Sequence, residues 1–141
     1  MQARITKVSH IEYAHRILNH PGKCKRLHGH SGKVELTLSG QVQEETGMVL
    51  DFEVLSTFFK AKVEKFFDHF TLLQEEDHIK KVLEMAGQKI FAFKQPPTAE
   101  VISYHILGLF INEIEERFPA GNFSCGVKFW ETESSYVEVR S

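Results

Sequence analysis

Between Lys33 and Val42 the chain reads K-V-E-L-T-L-S-G-Q-V, with Val34, Leu36 and Leu38 alternating against Lys33, Glu35 and Thr37. Successive side chains of a strand point to opposite faces, so a period of two buries one face and wets the other. That pattern predicts a half-buried antiparallel strand. A first strand is expected from about Ala3 to His15, its alternation weakened by Ile5, Lys7 and Ser9, and E-E-T-G at Glu44–Gly47 ends the second as a turn. Alternation returns near the C-terminus, where Phe123, Cys125, Val127 and Phe129 interleave with Ser124, Gly126, Lys128 and Trp130. Tyr136–Arg140 makes a short partner across T-E-S-S, closing a hairpin.

Between these strand pairs the period changes. From Asp51 to Phe67, Phe52, Leu55, Phe58, Phe59, Val63, Phe66 and Phe67 recur at spacings of three and four, and Asp51 is placed to cap the helix they predict. A second helix starts at P-P-T, with Thr98 as N-cap and Glu100 in the first turn, where the helix dipole favours an acid. Its stripe is Ile102, Ile106, Leu109, Phe110 and Ile114, and F-P-A-G-N ends it. The polar stretch Thr71–Pro97 lies between the helices, and its middle, H-I-K-K-V-L-E-M-A, reads as a short extra helix. The order ββααββ predicts an α+β fold, a four-stranded antiparallel sheet with two helices on one face. A chain of 141 residues builds this as a single domain, 1–141.

A net charge of -2 supplies no electrostatic reason to bind nucleic acid or an anionic membrane. The densest apolar run, I-S-Y-H-I-L-G-L-F-I, carries His105 and is too short to span a bilayer. Two cysteines a hundred residues apart form no disulfide framework, and a cytoplasmic protein is expected.

Chemistry concentrates in C-K-R-L-H-G-H, Cys24 to His30. On extended chain His28 and His30 share a face, so both imidazoles can serve one ligand sphere. His15 is the best third ligand, because the end of one strand of an antiparallel pair lies near the start of the next. Three imidazoles with a fourth position open is the arrangement of catalytic zinc. A thiol so close can be a ligand or a base, and spacing alone does not choose. His10, His20, His78 and His105 are assigned no role.

Six short motifs agree in order with one family: Y-A-H-R-I at Tyr13–Ile17, C-K-R-L-H-G-H, G-M-V-L-D-F at Gly47–Phe52, D-H at Asp68 and His69, P-T-A-E at Pro97–Glu100, and E-T at Glu131 and Thr132. Over nearly its whole length the chain resembles the 6-pyruvoyl-tetrahydropterin synthase family. The three residues between Cys24 and His28 are similar to its bacterial and archaeal branch, the 6-carboxy-5,6,7,8-tetrahydropterin synthases of queuosine (7-deazapurine) biosynthesis. The resemblance implies the tunnelling fold, in which sheets of neighbouring subunits join into a barrel with active sites between subunits. The homo-oligomer implied is a hexamer of two trimers or a tetramer. It implies Zn2+ on His15, His28 and His30, with Cys24 outside the coordination sphere as a base and Asp68 and His69 as a catalytic pair. Glu131 would anchor the pterin, with Thr132 and Thr98 also at the substrate.

The implied substrate is 7,8-dihydroneopterin triphosphate, and the implied product is 6-carboxy-5,6,7,8-tetrahydropterin with release of triphosphate and acetaldehyde. The alternatives are elimination of triphosphate to the 6-pyruvoyl product, or a pterin- or metal-binding oligomer without catalysis. The chain departs from the family pattern at Ile11, Tyr13, Leu73 and Val101, and Tyr13 stands where a small residue is usual.

Overall fold

The computed structural model describes residues 1–141. Strands β1 (Gln2–His15) and β2 (His28–Gln41) form a long antiparallel hairpin, in register from Gln2 opposite Gln41 to His15 opposite His28. β2 pairs antiparallel with β5 (Ser124–Thr132), and β5 with β6 (Ser135–Arg140). These four strands are the antiparallel sheet expected from the alternation.

The sheet is wider than that expectation. The stretch Thr71–Pro97 does not run as a polar connection: it contributes β3 (Phe70–Gln74) and β4 (Ile90–Phe93), giving a six-stranded sheet in the order β4-β3-β1-β2-β5-β6. β3 lies parallel to β1 and β4 parallel to β3, so the sheet is mixed and the order ββααββ is corrected. Strands of five and four residues are too short to show a period; pairing with the existing edge of β1 makes them strands.

Helix α1 starts at Phe52–Phe58, passes through a π-helical segment at Phe59–Glu64 and ends with the turn Lys65–Phe67. The Asp51 carboxylate caps it by accepting from the Glu53 N–H at 2.8 Å. Leu55, Phe58, Phe59, Val63 and Phe67 are buried, while Phe52, in the first turn, and Phe66, after the π segment, are exposed although both were expected on the stripe. The expected extra helix is α2 (Ile79–Met85). α3 (Ala99–Arg117) starts as predicted, its Thr98 hydroxyl accepting from the Val101 N–H at 3.3 Å.

The long helices cover one face of the sheet. Inward residues Ile11, Val34, Leu36, Leu38, Val127 and Phe129 form one core with both helical stripes, which meet where the Phe58 and Phe110 rings lie 5.0 Å apart. The other face carries Arg4, Thr6, Glu35, Thr37, Lys128 and Arg140 and is polar. No helix is long and apolar enough to cross a membrane.

Candidate active site

The hairpin register brings the histidines together. His15 ends β1 directly opposite His28, and Tyr13 stands opposite His30, all four on the inward face at its uncovered end. The three imidazole centroids are 4.6 to 5.0 Å apart, and one ligand atom from each lies within 4.8 Å of the others. Two rings are oriented from behind. His15 Nδ1–H donates to the Pro97 carbonyl at 2.8 Å and His28 Nδ1–H to the Arg26 carbonyl at 2.7 Å, leaving the lone pair of each on Nε2. The Nε2 atoms of His15 and His30 converge to 3.1 Å.

Such convergence of lone pairs suits a cation. Burial lowers the proton affinity of His15 and His30, favouring the neutral imidazoles that metal ions require. Three nitrogen donors with further coordination left to a ligand fit a divalent ion of the zinc type. The Glu131 carboxylate stands beside the cluster, Oε1 3.6 Å from His30 Nε2.

His15 also lines a cavity of about 360 Å³, shared with His20, Cys24, Thr98, Glu131 and Tyr136. Cys24 is half-buried in the turn Lys23–Lys25 and stands outside the three-histidine cluster. Its carbonyl accepts from the Ile17 N–H at 2.9 Å, which closes the loop that carries it back against the end of β1. Thr98 serves both as helix cap and as cavity wall. Glu131 reaches the cavity by the predicted alternation, although the β5–β6 register shifts between Trp130 and Thr132. Thr132 is exposed at the hairpin turn, 3.4 Å from the Ser134 hydroxyl, and is not part of the cavity wall.

Asp68 and His69 stand elsewhere. The Asp68 carboxylate accepts from the Glu12 N–H at 2.8 Å and lies 3.1 Å from His69 Nδ1, while the His69 N–H donates to the Glu12 carbonyl at 2.6 Å. These contacts dock the end of α1 on β1 and hold His69 at φ 61, a left-handed conformation uncommon for a residue with a side chain. The His69 side chain is 77% exposed and opens on a depression lined by Glu12, Tyr13, Ser31 and Gln88 and by His30 of the histidine cluster. That depression and the Cys24 cavity have no wall residue in common.

The sequence gives little sign of three further elements. The Pro97 and Arg26 carbonyls that orient the imidazoles are backbone atoms, which carry no residue signature. Tyr13 packs its ring on His15, His30 and Phe129 at 5.3, 5.5 and 5.8 Å, in space left by Gly32, where an added Cβ would meet Tyr13 Cε1 at 3.0 Å. His20, assigned no role from sequence, faces the cavity; its position between His15 and Cys24 is the one signal that could have found it.

A family model described as 6-pyruvoyl tetrahydropterin synthase matches residues 4–141. Among curated relatives, the 6-carboxy-5,6,7,8-tetrahydropterin synthase of Rickettsia bellii is 34% identical over 140 residues, covering 96% of this chain and 99% of its own. The enzyme of the same name from Haemophilus influenzae is 27% identical, with 97% and 98% covered. Among solved structures, 6-pyruvoyl tetrahydropterin synthase from Plasmodium vivax superposes with a TM-score of 0.79 at 24% identity, covering 100% of this chain and 98% of its own. An uncharacterized protein from Wolinella succinogenes gives 0.81 at 23% identity, with 99% and 98% covered.

Proposed function

This chain belongs to the 6-pyruvoyl tetrahydropterin synthase family, and from that premise we propose that it is a lyase that converts 7,8-dihydroneopterin triphosphate and water to 6-carboxy-5,6,7,8-tetrahydropterin, triphosphate and acetaldehyde, a step of queuosine biosynthesis. The observation that carries the proposal is one cavity in which His15, a member of the ligand-competent histidine cluster, shares the wall with a free thiol and a carboxylate. The names of the curated relatives and the short Cys24–His28 spacing favour the 6-carboxy product over the 6-pyruvoyl one.

Each residue has work suited to its chemistry. Glu131 accepts hydrogen bonds from the pterin 2-amino and ring N–H groups, a paired contact that fixes the ring. The Cys24 thiol, not needed as a ligand, removes a carbon-bound proton from the side chain. His69, oriented by Asp68, exchanges a proton with the neighbouring carbon or hydroxyl. Thr98, on the cavity wall, contributes a hydroxyl to substrate contacts. A zinc ion held by His15, His28 and His30 would, when bound, polarise the side-chain hydroxyl oxygens.

Separation of Cys24 from His69 within one chain supports a site completed between subunits. Three stretches of sheet edge have no strand partner within the chain: β6, β4, and the part of β1 before Glu12, since β3 pairs only with Tyr13–His15. Unpaired edges join readily, and a head-to-tail joint that closes makes a ring, here a barrel within a trimer, a hexamer of two trimers or a tetramer.

Incubation of the metal-loaded protein with dihydroneopterin triphosphate, with products identified by mass, tests the activity. The 6-carboxy product is expected; the 6-pyruvoyl product would reassign the reaction within the family, and neither product would refute catalysis. Cys24→Ala is expected to lower turnover at least about a hundredfold with metal content unchanged. Loss of metal from that variant would make Cys24 a ligand instead.

A further inference from the structure

The loop between β1 and β2 carries a histidine that neither the metal cluster nor the proposed proton transfers use. It is closed by the Ile17 N–H to Cys24 carbonyl bond at 2.9 Å and tightened by the His20 N–H to Ile17 carbonyl bond at 3.3 Å, with Asn19 at φ 63 making the turn between them. His20 Nδ1 accepts from the Gly22 N–H at 2.9 Å. The ring proton therefore sits on Nε2, which has no partner in the chain, and the half-buried ring forms part of the cavity wall with Cys24 and Glu131. Gly22 leaves room for this placement: a Cβ there would meet His20 Cε1 at 3.2 Å and Nδ1 at 3.4 Å, and the ring would have to shift to accept it.

The cavity is electrically lopsided. The acids on its wall are Glu131 on β5 and Glu100 in the first turn of α3. From Arg16 to Val34 there is no acid, and while Arg16 is held by Asp77, the exposed Lys23, Lys25 and Arg26 flanking Cys24 form no ion pair. A ligand with an N–H-rich ring at one end and an anionic chain at the other aligns in only one sense in such a field, its anion toward the loop.

We propose that His20 is a substrate-binding residue whose Nε2–H donates a hydrogen bond to the phosphate chain of the substrate. This rests on the function proposed above and assigns the triphosphate end of that site to the β1–β2 loop.

Titration calorimetry on the assembled, metal-loaded protein tests it with two separate probes, inorganic tripolyphosphate and phosphate-free neopterin. His20→Ala is expected to weaken tripolyphosphate about tenfold, the loss of one hydrogen bond to a charged group, with neopterin affinity and metal content unchanged. His20→Gln, which keeps an N–H donor, should recover part of the loss. Gly22→Ala, whose new Cβ crowds the ring, should show the same selective weakening if His20→Ala fails to assemble. Unchanged tripolyphosphate affinity in these variants, or an equal loss for neopterin, overturns the proposal. Wild-type protein that binds neopterin but not tripolyphosphate refutes this inference alone, and protein that binds neither refutes the pterin site as well.

Discussion

Tyr13 is 4% exposed, and its hydroxyl is buried without a hydrogen-bond partner. Burial, reinforced by Glu131, pushes its ionisation far above the ordinary tyrosine range, so the phenol keeps its proton and remains an unpaired donor. An unsatisfied buried polar group costs about 1–3 kcal/mol. Tyr13→Phe removes the hydroxyl and keeps the ring that packs on His15, His30 and Phe129, so its melting temperature should equal or exceed that of the wild type. A fall of several degrees in a thermal melt would show that the hydroxyl finds a partner in the assembled protein. The cysteines diverge at this scale too. Cys125 is buried in β5, and burial with Glu115 nearby pushes its thiol up to about 11, whereas Cys24 lies half-buried on the cavity. Both appear in sequence as isolated thiols. His15, His28 and His30 were legible because period two and the antiparallel rule place them without further information.

At the scale of elements, one ion pair ties the unexpected part of the sheet to the cluster. Arg16, next to His15, grips the fully buried Asp77 carboxylate with Nε at 2.7 Å and Nη2 at 2.5 Å, and the Ile79 N–H adds a third bond at 3.0 Å. Burial opposes ionisation of Asp77, but the Arg16 and Ile79 bonds outweigh it and hold the carboxyl below the usual aspartate range. A depressed folded-state value means that the stabilisation is complete above about pH 4 and is lost as pH falls through the lower folded value. Asp77→Asn leaves Arg16 without its counter-ion and should lower unfolding free energy at pH 7 by about 2–4 kcal/mol. Its melting temperature should also fall less steeply than that of the wild type below pH 4, and parallel acid limbs would contradict this role. The long elements could be read from sequence because their caps and periods are local: Asp51, Thr98 and the alternation in β2 act within a few residues. β3 and β4 have no such signal. They exist because Tyr13–His15 offers an edge, a contact more than fifty residues away in sequence.

For the whole molecule, the proposed site sets Cys24 and His69 to work in different chains. Cys24→Ala and His69→Ala proteins, each inactive alone, should recover activity when dissociated together and reassembled. Random mixing leaves about a quarter of the interfacial sites with both residues intact. A mixture that forms mixed oligomers yet stays inactive would mean that each chain uses its own pair. By itself the sequence determined the α+β class, both long helices and their caps, the antiparallel core strands and the three converging histidines, since each follows from short-range periodicity or from the geometry of one hairpin. Only the tertiary structure decided the six-stranded mixed sheet, the carbonyls behind the imidazoles, the burial of Tyr13, the exposure of His69 away from Cys24 and the turn of His20 into the cavity. Those depend on which distant segments find room and partners beside one another, and no local pattern of residues records that.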